Sequence, residues 1–131
     1  MSEEQNSPLR IAYIDVNYVL SQSKQVIELR KKQAEREKDL KVWLSNVNTD
    51  VIKRGNPQDQ QKLVSKYNEE FIQKQQRLRD EYQKRLQEID KNITDIIAKE
   101  AKRLNYDFVM AKGTILFGGE DITLQIAELV K

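Results

Sequence analysis

The sequence predicts a mainly α protein with a small β component: a long antiparallel α-helical coiled-coil hairpin (the arm) projecting from a small oligomerising β head. Three observations carry this. Within residues 17–104, apolar residues recur at alternating threes and fours on either side of a central turn: Leu40, Leu44, Val47 and Val51 before it, and Leu86, Ile89, Ile93 and Ile96 near the far end. A breaker, Lys53-Arg54-Gly55-Asn56-Pro57-Gln58-Asp59, stands in the middle of that stretch. Short β-rich runs flank its open ends.

The elements follow in chain order. Residues 1–8 are a polar, acidic tail without the charged and apolar pattern of a secretory signal. The chain is therefore expected either to be cytoplasmic or to have lost a leader that preceded it. Residues 9–131 read as a single domain, with a head of 9–26 and 97–131, an arm of 27–96 and a tip near 54–58. Residues 9–15 form a β-rich run between Pro8 and Asp15, and Asp15 suits a helix cap. At the tip, Gly55 is suited to the left-handed conformation that closes a helix, Asn56 to capping the next and Pro57 to its first position. The hairpin should reach roughly 60–70 Å, from about 40 residues at 1.5 Å each. Residues 105–111 and 114–117 are two further strand candidates, with Lys112-Gly113 as the tight turn between them. Gly118-Gly119 ends the second, and Glu120 or Asp121 opens a closing helix with Ile122, Ile126, Leu129 and Val130 on one face.

Three short strands and one short helix make a poor core alone, and their edges invite pairing. The head should therefore oligomerise, through Ile11, Ile14, Phe108, Ile115 and Phe117. If the tip centres on Asn56, facing arm residues have numbers summing to roughly 112. This pairs Val47 with Val64, Leu44 with Tyr67, Leu40 with Phe71 and Ile27 with Leu86, leaving Trp43 beside the seam. Between Arg30 and Asp39 the seam is offered only Ala34, and Leu78, Tyr82, Leu86 and Ile89 are spaced four, four and three. That step relaxes a left-handed supercoil, so the middle of the arm is expected to be loosely packed.

Composition bounds the function. The 131 residues are 34% charged and contain neither His nor Cys, which removes thiol and imidazole catalysis, disulfides and the usual zinc ligands. Adjacent acids such as Asp80/Glu81 point to different sides of a helix, and Gly118-Gly119 lacks the context of a phosphate loop. No enzyme, cofactor or metal is expected. From Arg30 to Lys91 there are 16 basic and 11 acidic residues, a net +5, while the rest of the chain is −3. Such an arm could meet an anionic lipid surface or acidic polypeptide, or simply be a solvated face laced with ion pairs. Nucleic acid is not expected, because acids interrupt the basic patches and no aromatics interleave with them. The residues best placed for diffuse contact with an apolar guest are Leu40, Trp43, Tyr67, Phe71 and Tyr82.

The opening Ile11-Ala-Tyr-Ile-Asp-Val16, then Val19-Leu20 and Ser21-Gln-Ser-Lys24, resembles the start of the Skp/OmpH family of bacterial periplasmic chaperones. Leu104-Asn-Tyr-Asp-Phe-Val-Met110 and Thr114-Ile-Leu-Phe-Gly-Gly-Glu-Asp-Ile-Thr123 are similar to that family's closing segments. The resemblance implies a homotrimer whose arms enclose a cavity. There, unfolded outer-membrane proteins are held without ATP, in the periplasm after a leader is removed. The residues by themselves leave two other readings open: a coiled-coil scaffold or adaptor without chaperone activity, and a prefoldin-like cytosolic holdase. In the last, however, the β segments sit between the helices rather than at both ends.

Overall fold

The computed structural model describes residues 8–131. Helix dominates, and three short strands form one parallel sheet. The chain divides into two compact units. The terminal unit comprises residues up to Glu28 together with Gln87–Lys131, and the helical unit is Leu29–Leu86.

The terminal unit is built around strand β1 (Ile11–Ile14), which lies at the centre of the sheet between β2 (Phe108–Ala111) and β3 (Glu120–Asp121). Both pairings are parallel, with Ile11 opposite Phe108, Tyr13 opposite Met110 and Ala12 opposite Glu120. The expected hairpin between residues 105–111 and 114–117 is not formed. Lys112–Thr114 make a turn of 3-10 helix, residues 115–119 are irregular, and the third strand starts only at Glu120. The edge of β1 expected to be free is occupied on both sides; the free edges belong to β2 and β3.

Side chains alternate across β1, so Ala12 and Ile14 are buried on one face while Ile11 and Tyr13 are half-buried on the other. Helix α1 (Val16–Gln22) and the closing helix α4 (Thr123–Val130) pack together, and α4 also lies against β1. Val19, Ile122 and Ile126 are almost wholly buried in this unit, as is Ile89. Each such side chain stabilises the fold by about 2–3 kcal/mol through the apolar area it removes from water.

Short-range chemistry sets the helix ends. Asp15 caps α1 by accepting from the Tyr18 amide at 3.1 Å. The first of the two long helices expected from the spacing is interrupted: Ser23 breaks it with an extended backbone, and its buried hydroxyl accepts from the Val26 amide at the start of α2 (Lys24–Lys53). Asn56 accepts from the Gln58 amide at 2.9 Å and Pro57 is the first residue of α3 (Pro57–Arg103), as expected. Gly55 does not adopt the left-handed conformation; the positive-φ glycines are Gly118 and Gly119. The left-handed helix end falls instead at Asn105 (φ 62°). The Tyr106 amide donates to the Ala101 carbonyl and the Asn105 amide to that of Lys102, closing α3 in a Schellman motif.

In the helical unit, α2 and α3 meet in opposite directions along the chain. Contacts bring together residues whose numbers sum to between 110 and 117, bracketing the expected 112. On α2 a stripe of covered positions steps by four and three through Leu29, Gln33, Arg36, Leu40, Trp43 and Val47, with Leu44 half-buried beside Trp43. Ala34 is exposed, and the stretch expected to be thin is bridged by the Arg36–Glu81 ion pair. Ile27, in the terminal unit, and Leu86, in the helical unit, are both exposed rather than covered as expected. Among the described residues, no helix is long and apolar enough to cross a membrane.

Candidate functional site

Trp43 is the centre of the helical unit. Placed one step along the three-four stripe from Leu40, its indole points at α3, where it meets two aromatic side chains one turn apart. The Tyr67 ring stands edge-on with centroids 6.0 Å apart, and the Phe71 ring lies parallel at 6.4 Å. The ammonium of Lys74, one turn beyond Phe71, sits 5.2 Å from the indole centroid. That is a cation–π contact at a half-exposed position, worth about 0.5–1 kcal/mol. Tyr67 is anchored by its hydroxyl, which donates to Asp50 Oδ2 at 2.8 Å. This bond to a carboxylate, together with partial burial, raises the tyrosine's pKa.

Two solvent-open grooves flank the indole. The one nearer the 54–56 connection has a volume of about 460 Å³ and is lined by Trp43, Val47, Val64, Tyr67 and Phe71, with the amides of Asn48 and Asn68 as its polar members. The other, about 280 Å³, has Leu40, Trp43 and Leu78 as its apolar wall. Around that wall stand Lys74, Arg77 and Asp39, and the paired Arg36 and Glu81. The structure thus brings Leu40, Trp43, Tyr67 and Phe71 to one place. Tyr82 is half-buried and lines neither groove. Trp43, which the sequence reading sets beside the seam, is one of its members. Lys74 was missed, though its place one turn after Phe71 was a usable signal.

The head residues are divided by the sheet. Ile14 is buried in the chain's own core at 5% exposure, so it is not available to a partner copy. Ile11 is half-buried on the opposite face, in register with the exposed Phe108. Ile115 is half-buried, whereas Leu116 and Phe117 are fully exposed, before two positive-φ glycines. The open face carries Ile11, Tyr13, Phe108 and Met110, an apolar set on a parallel sheet, which ordinarily has both faces covered.

A polar cluster ties the strand ends together. The Arg10 guanidinium lies 4.5 Å over the Tyr106 ring, donates to the Leu104 carbonyl at 2.7 Å and pairs with Glu120. The Tyr106 hydroxyl donates to the same Glu120 carboxylate; that bond holds the glutamate below its usual range and raises the tyrosine. Asp121 accepts from both the amide and hydroxyl of Thr123, which lowers its pKa, and the Asp15 amide donates to the Thr123 hydroxyl. These contacts are structural, joining β1, β3 and α4. Among the described residues no group of three acidic or metal-ligating side chains is placed to hold a metal. Compared with known proteins, the chain matches no family model and no curated protein.

Proposed function

We propose that this protein is an ATP-independent holdase of the Skp/OmpH type, binding unfolded outer-membrane proteins between coiled-coil hairpin arms that rise from an oligomeric head. The observation that carries the reading is Trp43, an aromatic centre held between two solvent-open grooves by half-buried neighbours. An unfolded barrel strand offers alternating apolar side chains and bare backbone. Shallow apolar grooves with polar margins bind such a chain by many weak contacts, without a nucleotide cycle. The open sheet face and the exposed Leu116-Phe117 pair support assembly through the head, as a trimer by the resemblance in residues 11–24 and 104–123. Periplasmic residence follows from the same resemblance, with a cytoplasmic scaffold or adaptor as the competing reading.

The test is light scattering from an unfolded β-barrel membrane protein diluted from denaturant. Wild-type protein is expected to suppress aggregation without nucleotide, at about one oligomer per client. Trp43→Ala should weaken holding only mildly, by about 1 kcal/mol or less, because the contacts are distributed. Undiminished aggregation at excess wild-type protein would favour the scaffold. Sedimentation tests the head: Phe117→Asp, at a side chain 96% exposed in the single chain, should leave the fold intact and shift the oligomer towards monomer.

A further inference from the structure

We infer that the two grooves beside Trp43 form one bipartite site, selective for an extended apolar segment that carries an acidic residue at one end. This deepens the holdase reading, and rests on it. The groove near the 54–56 connection has no cation or carboxylate among its lining residues. The side-chain amides of its polar members, Asn48 and Asn68, form no hydrogen bond among the described residues. Each side-chain amide both donates and accepts, which matches the unpaired N–H and C=O groups of a bound extended segment. The second groove differs in charge. Arg36 and Glu81 neutralise one another, which leaves Lys74 and Arg77 against Asp39. Neither of those two cations forms an ion pair among the described residues, and Lys74 is held only against the indole. Trp43 is the shared wall. Along an extended chain, side chains on the same side recur about every 6.6 Å. A segment crossing the indole therefore sets successive same-side residues into the two grooves, apolar ones towards Val47 and Phe71 and an anion towards Lys74 and Arg77.

Trp43 is the chain's single tryptophan, so its fluorescence reads this site alone. Full-length protein is titrated with the acetylated, amidated peptide Val-Phe-Val-Ser-Asp and with its counterpart ending in Lys. The Asp peptide should bind about fivefold more tightly, the scale of a surface ion pair. Lys74→Glu with Arg77→Glu should reverse the order. Arg77→Glu alone, at an exposed position, should narrow it should the double variant fail to fold. Equal binding of the two peptides by wild-type protein overturns the inference, and so does an order unchanged in the variants. Titration midpoints that rise with protein concentration would place a second copy in the grooves and overturn it too. The aggregation assay separates the two readings. Suppression without peptide discrimination sinks the bipartite site and leaves the holdase standing. Discrimination without suppression supports the site as a peptide reader and sinks the holdase.

Discussion

The terminal and helical units use the same residue types to different ends. The terminal unit has a fully covered centre: Ala12, Ile89 and Ile126 have no exposed surface, and polar groups at the strand ends are paired. In the helical unit, Leu29 and Val47 are the buried hydrophobic residues among those described, and the aromatic cluster is only half covered. A three-dimensional core concentrates its stabilisation in a few positions. A stripe between two helices spreads it, leaving each side chain partly available to something else. Tolerance and binding capacity are therefore expected in the helical unit, and sensitivity in the terminal one.

The largest effect that tests this contrast is a buried charge. Ile126→Asp places a carboxylate where no water reaches and should cost about 4 kcal/mol or more. The matching change in the helical unit, Leu40→Asp, meets half-exposed surroundings and should cost about 1–2 kcal/mol. Urea unfolding followed by circular dichroism measures both. Equal costs would mean that the helical unit has a core as demanding as the terminal one.

Acid should separate the units next. In the terminal unit Glu100, Glu120 and Asp121 have lowered pKa values, through bonds from Arg103, Tyr106 and Thr123 respectively. A carboxylate whose folded pKa is depressed contributes stability above its unfolded pKa and loses it as pH falls through the folded value. Terminal-unit stability should thus decline from about pH 5 downwards. The shift resolved in the helical unit is the raised Tyr67, whose contribution is complete below its unfolded pKa and is lost only as strongly alkaline pH passes the folded value. Glu120→Gln is the check. Its urea midpoint should lie below wild type at pH 7, and the gap should narrow as acid protonates the wild-type carboxylate; a gap of the same size at every pH would remove the carboxylate from the explanation.

Much of this contrast was legible in the sequence, and the places where it was not share a cause. The three-four spacing located both long helices and the break between them. It sets Leu44 in the seam and Trp43 beside it, whereas both are half-buried and line one groove with Tyr67 and Phe71, because adjacent large apolar residues both fit a wide stripe. Residues 114–117 have strand propensity, yet the second place beside β1 goes to the Glu120–Asp121 strand, and the turn at Lys112–Thr114 leaves the free edge of β2 unpaired. Pairing between distant segments overrode local propensity there. Ile14 and Phe117 read alike as apolar strand residues, yet the parallel register buries the first and the turn at Lys112–Thr114 leaves the second in solvent. Of the contact site, the aromatic residues were visible in the sequence; the charge difference between its two grooves required the pairing of Arg36 with Glu81.

The smallest effect comes from two glycines that sequence alone makes look equivalent as turn residues. Gly119 has φ +86°, and a Cβ there would lie 3.2 Å from Tyr13 Cδ1 and 3.4 Å from the Ile11 carbonyl oxygen. Gly119→Ala should therefore cost about 1–2 kcal/mol, from the left-handed backbone alone and before any movement of Tyr13. Gly55 is not in the left-handed region, and a Cβ added to it meets nothing within 4 Å. Gly55→Ala should accordingly stabilise by about 0.4–1 kcal/mol, because alanine restricts the unfolded chain without straining the folded one. Urea midpoints that move in opposite directions for the two variants confirm that the 54–56 connection is unstrained while the close of the sheet is not. A Gly55→Ala variant less stable than wild type would mean that the connection needs the conformational freedom of glycine, and the contrast between the two units would fail at that point.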